Sequence, residues 1–348
     1  MNDSNETFKE ELFGRNKTTE DFIFVGFFAA ITVLGLFLNL IVILVIKRKW
    51  KKRTANDCFI LNLALSDLLF TLCIPADIYG LLVKRPYTQV FCKIFPPFST
   101  VTYDLSVCTL TSMAIERHGV ILQPLKPKVS KKSICIWLAA IWFVSWLCVL
   151  PYAIVNKSGE MYCEEDWPSL KYRQVYTVTL FVMQYFLPLM IIGGCYMKIG
   201  LYLAEQTKPG DSGEKASARA RRTRSVFKKL RNRKQNLQAT KVLAVLVLVF
   251  AIANLPGQIA WLLKDFAPKS YYPTAFLLMK IAQILSCIHS FSNALIYGAL
   301  TKHFRREYIR IVCGSCLCYY KNQGHTLLRR TSTQKFTQKE LRSLQLAQ

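Results

Sequence analysis

The sequence predicts an all-α fold: a bundle of seven membrane-spanning helices followed by a short amphipathic eighth helix. Three observations predict it. Of the 348 residues, 52% are hydrophobic and only 19% are charged, a balance richer in apolar residues than soluble domains carry. Apolar stretches of about 20 residues recur, each long enough to cross a hydrocarbon core of about 30 Å as a helix. Lysine and arginine collect in alternate connections between those stretches, as the positive-inside rule requires of a chain threaded through a bilayer.

The stretches run from Phe22 to Ile46, Cys58 to Val83, Ile94 to Ile115, Ser133 to Val155, Val175 to Met197, Val242 to Leu263 and Tyr272 to Leu300. The first has no charge and ends in Lys47, Arg48 and Lys49, so it is expected to span the membrane and to be no part of a cleavable leader. The short segment His303 to Val312 places Phe304, Tyr308, Ile309 and Ile311 where they can lie on the inner leaflet.

Basic residues cluster at 47–53, 126–132 and 219–234, so these connections are expected in the cytoplasm. The amino-terminal tail holds Asp3, Glu6, Glu10, Glu11, Glu20 and Asp21 against Lys9, Arg15 and Lys17, which places it outside. Seven spans then put the carboxyl tail inside. The sequons at Asn2, Asn5, Asn16 and Asn156 all fall on the outer side and are expected to carry glycans.

The net charge of +25 would suggest nucleic acid in a soluble protein. Here the basic runs sit beside the cytoplasmic leaflet, where anionic lipid accounts for them at about 1 kcal/mol per cation, so no nucleic-acid partner is expected. Most of the 12 cysteines lie within apolar stretches and act as small hydrophobes. Cys92, heading the third span, and Cys163, in the connection after the fourth, both face the oxidising side and are expected to bridge. Cys313, Cys316 and Cys318 abut the membrane with no histidine at zinc spacing, which favours acylation over a metal cluster.

From Gly35 to Val312 the ordered residues within the spans resemble the rhodopsin-like G-protein-coupled receptors. Asn39 lies in the first span, NLALSD from Asn62 to Asp67 in the second, and Cys92 and Glu116-Arg117-His118 bound the third. Trp142 and Pro151 mark the fourth, Pro188 and Tyr196 the fifth, Phe250 and Pro256 the sixth, Asn293 and Tyr297 the seventh. The resemblance implies that Arg117 pairs with Glu116 at rest and is released toward Tyr196 and a G protein on activation. It also implies a sodium pocket around Asp67, with Asn39, Ser106, Ser290 and Asn293, altered here because His289 replaces the usual Asn. No other cofactor and no enzymatic activity are expected.

Two departures concern the switch itself. Asn254 stands where the family has Trp before the sixth-helix Pro, and Ala294 replaces the seventh-helix Pro, so altered basal activity or weak coupling is expected. Ser99 replaces the Asp of amine receptors and Cys287 the Lys of opsins, which disfavours an amine ligand and light sensing. Acids crowd the outer face: Asp77, Glu160, Glu164, Glu165, Asp166 and Asp265. They favour a cationic ligand.

CEEDWP from Cys163 and QYFLP from Gln184 are similar to neuropeptide Y and RFamide peptide receptors, which implies that Asp265 meets an Arg of an amidated peptide. Asp77 and Asp265 are the favoured contacts, joined by Ser99, Tyr103, Glu164, Glu165, Gln184, Gln258 and His289. Asp104, deep in the third span, is expected to bond a neighbouring helix.

The chain is thus divided into a disordered, glycosylated outer tail (1–21), a seven-helix receptor domain with the eighth helix (22–312), a basic and partly mobile third cytoplasmic loop within it (205–238) and a cytoplasmic tail (313–348). Its expected function is plasma-membrane reception of an extracellular peptide with signalling through a heterotrimeric G protein, and with arrestin and receptor kinases as further partners. Arg329-Arg330-Thr331-Ser332 offers the tail a phosphorylation motif. The competing readings are an orphan or constitutively active receptor-like protein and a transporter, for which Asp67, Asp77 and Asp104 are too few to line a polar path.

Overall fold

The computed structural model describes residues 19–48, 50–83, 87–123, 129–159, 163–205 and 219–312. The first span is α1 (Thr19–Arg48). The second is broken into α2 (Ala55–Thr71) and α3 (Ile74–Val83). The third and fourth are α4 (Gln89–Leu122) and α5 (Lys131–Val155), and a hairpin of β1 (Asn156–Ser158) and β2 (Cys163–Glu165) follows. The fifth span joins α6 (Leu170–Phe181), a π-helical turn (Val182–Phe186) and α7 (Leu187–Glu205). The sixth is α8 (Arg219–Phe266) and the seventh α9 (Tyr272–Leu300).

Local chemistry sets several of these boundaries. Thr54 and Asp57 form a reciprocal capping box at the start of α2, satisfying two otherwise orphaned amides. Thr88 and Ser130 cap α4 and α5 through their hydroxyls. The break in the second span follows from Pro75, which has no amide hydrogen for the carbonyl of Thr71 and whose ring crowds it. Cys73 and Ala76 instead donate to residues three back, at 2.8 and 2.9 Å. The π turn in the fifth span precedes Pro188, where the wider turn accommodates the ring.

Six of the seven spans are long and apolar enough to cross a membrane by composition, and α4 is the exception among the described residues. Its place in the bundle explains this. It packs against α2, α5, α7 and α8, so it meets protein where the others meet lipid and can bury Thr102, Asp104, Ser106, Thr109 and Ser112. The reverse holds at the periphery, where Phe143, Met190, Leu201 and Ile252 are more than 60% exposed, as lipid-facing side chains are.

One hydrogen-bonded chain ties three spans at mid-depth. Trp142 Nε1 donates to Asn62 Oδ1 at 2.9 Å, and Asn62 Nδ2 donates to Thr109 Oγ1 at 2.7 Å. Gly35 of α1 lies so close to α2 that a Cβ there would stand 2.9 Å from Thr71 Oγ1.

The basic loop expected at 205–238 is helical from Arg219 onward, as the start of α8. The Arg, Lys, Gln and Ala there are strong helix formers and carry the sixth helix beyond its apolar part. Residues 302–348 form a separate unit, of which α10 (Lys302–Val312) is described; Phe304, Tyr308 and Ile311 recur on one face of it at helical spacing.

Candidate functional site

At the outer end of the bundle a cavity of about 410 Å³ opens between the third, fifth, sixth and seventh spans, with Glu165 of β2 above it. The hairpin bearing Glu165 is fixed from several sides. The Cys92–Cys163 disulfide joins it to the head of α4, and β1 pairs antiparallel with β2 so that Asn156 faces Glu165. Asn156 Nδ2 donates to Cys92 O at 2.7 Å, and Asp166 N to Val155 O at 2.9 Å. The Glu165 carboxylate is itself oriented: its Oε2 accepts from Trp167 Nε1 at 2.6 Å, and Trp167 packs on Tyr176 with ring centroids 5.0 Å apart.

Ser99 and Tyr103 of α4, Gln184, Gln258 and Gln283 present hydroxyls and amides to the same space, beside the rings of Tyr152, Phe181 and Trp261. The π turn accounts for the position of Gln184, because the extra residue rotates its side chain toward the centre of the bundle, where it is buried. Gln258 Nε2 lies 3.4 Å from Tyr103 OH. Among the described lining residues Glu165 is the one with a formal charge.

Asp265 stands elsewhere. Its side chain is only 1% exposed, and its Oδ1 lies 2.5 Å from Arg173 Nη2. Its Oδ2 accepts from Thr177 Oγ1 at 2.5 Å, and its backbone carbonyl accepts from Gln174 Nε2 at 2.8 Å. Arg173, Gln174 and Thr177 occupy adjacent positions on one face of α6, so the outer ends of the fifth and sixth spans are joined through this residue. Asp265, expected to meet a ligand cation, has its carboxylate engaged here by a cation of the chain. Nothing in the spacing of residues 173–177 shows that they face the sixth span, and Arg173 was missed for that reason.

Below the cavity lies a polar network. Asp67 Oδ1 accepts from Ser106 Oγ at 3.1 Å and Oδ2 from Asn293 Nδ2 at 2.8 Å. Ser66 and Ser106 share a bond of 3.0 Å, and Asn39 Nδ2 reaches Ser290 O at 2.8 Å. A second, small cavity of about 20 Å³ touches Asp67, Ser106, His289 and Ser290. It has room for one water-sized occupant. Asn39 Oδ1 and Asn293 Oδ1 are buried nearby without a hydrogen-bond partner.

A carboxylate and hydroxyl oxygens are the hard donors that a small hard cation takes, so the residues present fit a sodium ion. His289 was expected to line the ligand cavity, but it lines this lower one. Both its ring nitrogens are buried without a partner among the described residues, and its ring meets Phe250 edge-on at 5.5 Å.

At the inner end Arg117 Nε lies 3.3 Å from Glu116 Oε2. Tyr196 OH donates to Thr240 O of the sixth span at 3.1 Å, and Tyr297 OH lies 3.7 Å from Met113 Sδ of the third. His118 follows Arg117 on α4. Asn254 Nδ2 donates to Phe250 O at 2.8 Å within α8, while Pro256 leaves α8 continuous and Ala294 lets α9 run unbroken.

The structure therefore gathers Ser99, Tyr103, Glu165, Gln184 and Gln258 around one cavity. Glu164 is half-buried on the hairpin, outside the lining. Asp77 lies on α3, and its side chain is outside the described residues, as are Asn2, Asn5, Asn16, Glu160, Cys313, Cys316 and Cys318. The glycan expected at Asn156 is corrected as well, since that side chain is 1% exposed and its amide is committed to Cys92 O. Tyr152, Tyr176, Trp261 and Gln283 line the site without having been singled out, because aromatic and amide residues are common packing groups on any helix face.

Comparison with known proteins agrees with this architecture. The 7 transmembrane receptor (rhodopsin family) profile matches residues 38–297. The chain is 30% identical over 301 residues to a QRFP-like peptide receptor of Branchiostoma floridae, covering 82% of this chain and 76% of that protein. It is 29% identical over 320 residues to galanin receptor type 1 of Homo sapiens, covering 88% and 85%. To neuropeptide Y receptor type 1 of Xenopus laevis it is 30% identical over 301 residues, covering 80% and 78%. A match across 38–297, with the bundle and the outer disulfide in place, has one reading: the chain is a multi-pass membrane protein and belongs to the rhodopsin family of 7 transmembrane receptors.

Proposed function

We propose that this chain is a plasma-membrane receptor for an extracellular, cationic, amidated peptide and signals through a heterotrimeric G protein. The observation that carries the reading is the outer cavity of about 410 Å³ with the Glu165 carboxylate at its wall. It has the size and mixed aromatic and amide lining of a ligand pocket, and Glu165, the one formal charge among its described lining residues, suits a ligand cation. The names of relatives support a peptide, since two are receptors for a QRFP-like peptide and for neuropeptide Y.

Ligand bound among the third, fifth, sixth and seventh spans bears on Gln258 and Trp261 of α8, whose cytoplasmic half is held to Tyr196 through Thr240 O. A shift of α8 that breaks this bond frees the inner face beside Arg117, where the G protein docks. Arrestin and receptor kinases act on the cytoplasmic tail. The amino terminus lies outside with glycans at Asn2, Asn5 and Asn16; acyl groups at Cys313, Cys316 and Cys318 and basic contacts to anionic lipid hold the inner side. Asp67, Ser106 and Ser290 would hold a sodium ion, which when bound compensates the buried carboxylate and favours the resting bundle.

The test is a signalling screen of transfected cells against amidated Arg-containing peptides, with acidic peptides and lipids as the opposing set. Activity confined to acidic or lipid ligands would sink the cationic reading. A second reading, constitutive activity without ligand, is favoured by Asn254 and Ala294 at the switch positions; signalling that rises with receptor density in ligand-free medium would support it.

A further inference from the structure

The inner half of the sixth span carries no acid that could hold it to Arg117. From Lys215 to Lys264 the chain contains no Asp or Glu, and Arg117 lies 3.3 Å from Glu116 of its own helix. The charged side chains of that stretch are all cations, which repel a guanidinium, so closure at this end has another source. Two hydrogen bonds supply it, and both end on backbone carbonyls. Tyr196 OH of α7 donates to Thr240 O at 3.1 Å, and Gln238 Nε2 of α8 donates to Leu300 O of α9 at 2.8 Å.

We infer that Gln238 is an uncharged strap that holds the inner end of the sixth span against the seventh, and is thus a positioning residue for the resting bundle. That its release admits a G protein rests on the proposed function; the strap itself does not.

The acceptor is one that a helix leaves open. Leu300 is the last residue of α9, and the last carbonyls of a helix have no partner within it. The amide of Thr301 turns back to Tyr297 O at 3.0 Å, so Leu300 O is satisfied from another element, and Gln238 satisfies it. This carbonyl also lies at the negative end of the helix dipole, which favours a donor and a cation most of all. Gln238 stands two residues before Thr240, so the bonds to the fifth and seventh spans grip the sixth within one turn. An outward shift of α8 has to break both.

The experiment uses the full-length receptor in membranes, with a Thr240→Cys reporter in every chain. Thr240 is 8% exposed, and its part in the bond to Tyr196 is a backbone carbonyl, so the reporter keeps that bond and gains a thiol that opening uncovers. Alkylation by N-ethylmaleimide is followed by mass spectrometry at the peptide containing position 240, which separates it from the native cysteines. Gln238→Leu and Gln238→Met delete the donor while keeping a strong helix former. Each is expected to raise the alkylation rate about fivefold, the worth of one such bond in an equilibrium.

Gln238→Lys restores an N–H donor with a charge that suits the helix end, and should stay within about twofold of the parent rate. A loss of packing alone would raise the rate in all three variants. The inference is overturned if the Leu and Met variants alkylate at the parent rate, if Gln238→Lys rises as far as they do, or if position 240 reacts in no chain. Nucleotide exchange by an added heterotrimeric G protein is read on the same membranes without ligand. Faster alkylation with unchanged exchange sinks only the G-protein reading. Exchange that rises at an unchanged alkylation rate sinks only the strap.

Discussion

Asn293 of the seventh span donates from Nδ2 to Asp67 Oδ2 in the second, 2.8 Å away and 226 positions earlier in the chain. Both residues are 2% exposed, and Ser106 supplies a bond to the other oxygen from the third span. Three helices thus meet at one carboxylate. Asn293→Ala removes a donor from a buried acceptor and is expected to cost about 1–3 kcal/mol, the usual penalty for leaving such a group unmatched. Thermal unfolding in detergent should show a fall in Tm, and Asn293→Gln should not restore it, because the longer side chain overfills the site. An unchanged Tm in Asn293→Ala would mean that the bond holds nothing.

The Trp142–Asn62–Thr109 chain makes a similar claim about the second, third and fourth spans. Trp142→Phe keeps much of the ring and deletes the indole donor, so Asn62 Oδ1 loses its partner. The expected loss is about 1 kcal/mol, and a double-mutant cycle with Asn62→Ala should show coupling of at least half that. Additive losses in the cycle would refute a direct bond.

How much of this was legible beforehand depends on the range over which each feature is written. The seven spans are read from composition, and the Cys92–Cys163 bridge from two cysteines on the oxidising side, so both survive into the structure. The third span is more polar than the others because it is enclosed by protein, which the pattern of Thr102, Ser106 and Thr109 foretells only once the bundle is known. Arg173 was not legible as the partner of Asp265, since that pairing depends on the rotation of α6 about its axis. The Asn156 sequon misled for a related reason. A motif of three residues carries no information about the disulfide-anchored hairpin that draws its amide toward Cys92.

Gly35 and Thr71 give a steric test of the packing between the first and second spans. A Cβ at Gly35 would lie 2.9 Å from Thr71 Oγ1 and 3.0 Å from Cγ2, but 3.5 Å from Cβ. Gly35→Ala is therefore expected to destabilise by about 1–3 kcal/mol through overpacking. Thr71→Ala removes the two offending atoms and leaves only an ordinary contact. The double variant should recover most of the Tm lost by Gly35→Ala, and failure to recover would place the strain elsewhere.

The last prediction concerns the switch. Asn254 borders both the upper cavity of about 410 Å³ and the lower one of about 20 Å³, and its amide is tied to Phe250 O. Phe250 in turn touches Tyr103 at 5.6 Å and His289 at 5.5 Å. A small polar side chain at this junction couples ligand position to Phe250 only through a helix-internal bond, whereas an indole would fill the upper space and press on the same ring. Ala294, 1% exposed, leaves the seventh helix without the kink that a proline imposes there. Asn254→Trp with Ala294→Pro is therefore expected to shift the resting equilibrium, seen as a several-fold change in ligand-free signalling at matched surface expression. A shift of about 1 kcal/mol in a two-state equilibrium changes the active population about fivefold, well within the reach of a second-messenger assay. Signalling identical to that of the parent chain, basal and stimulated, would show that the two positions do not govern the transition.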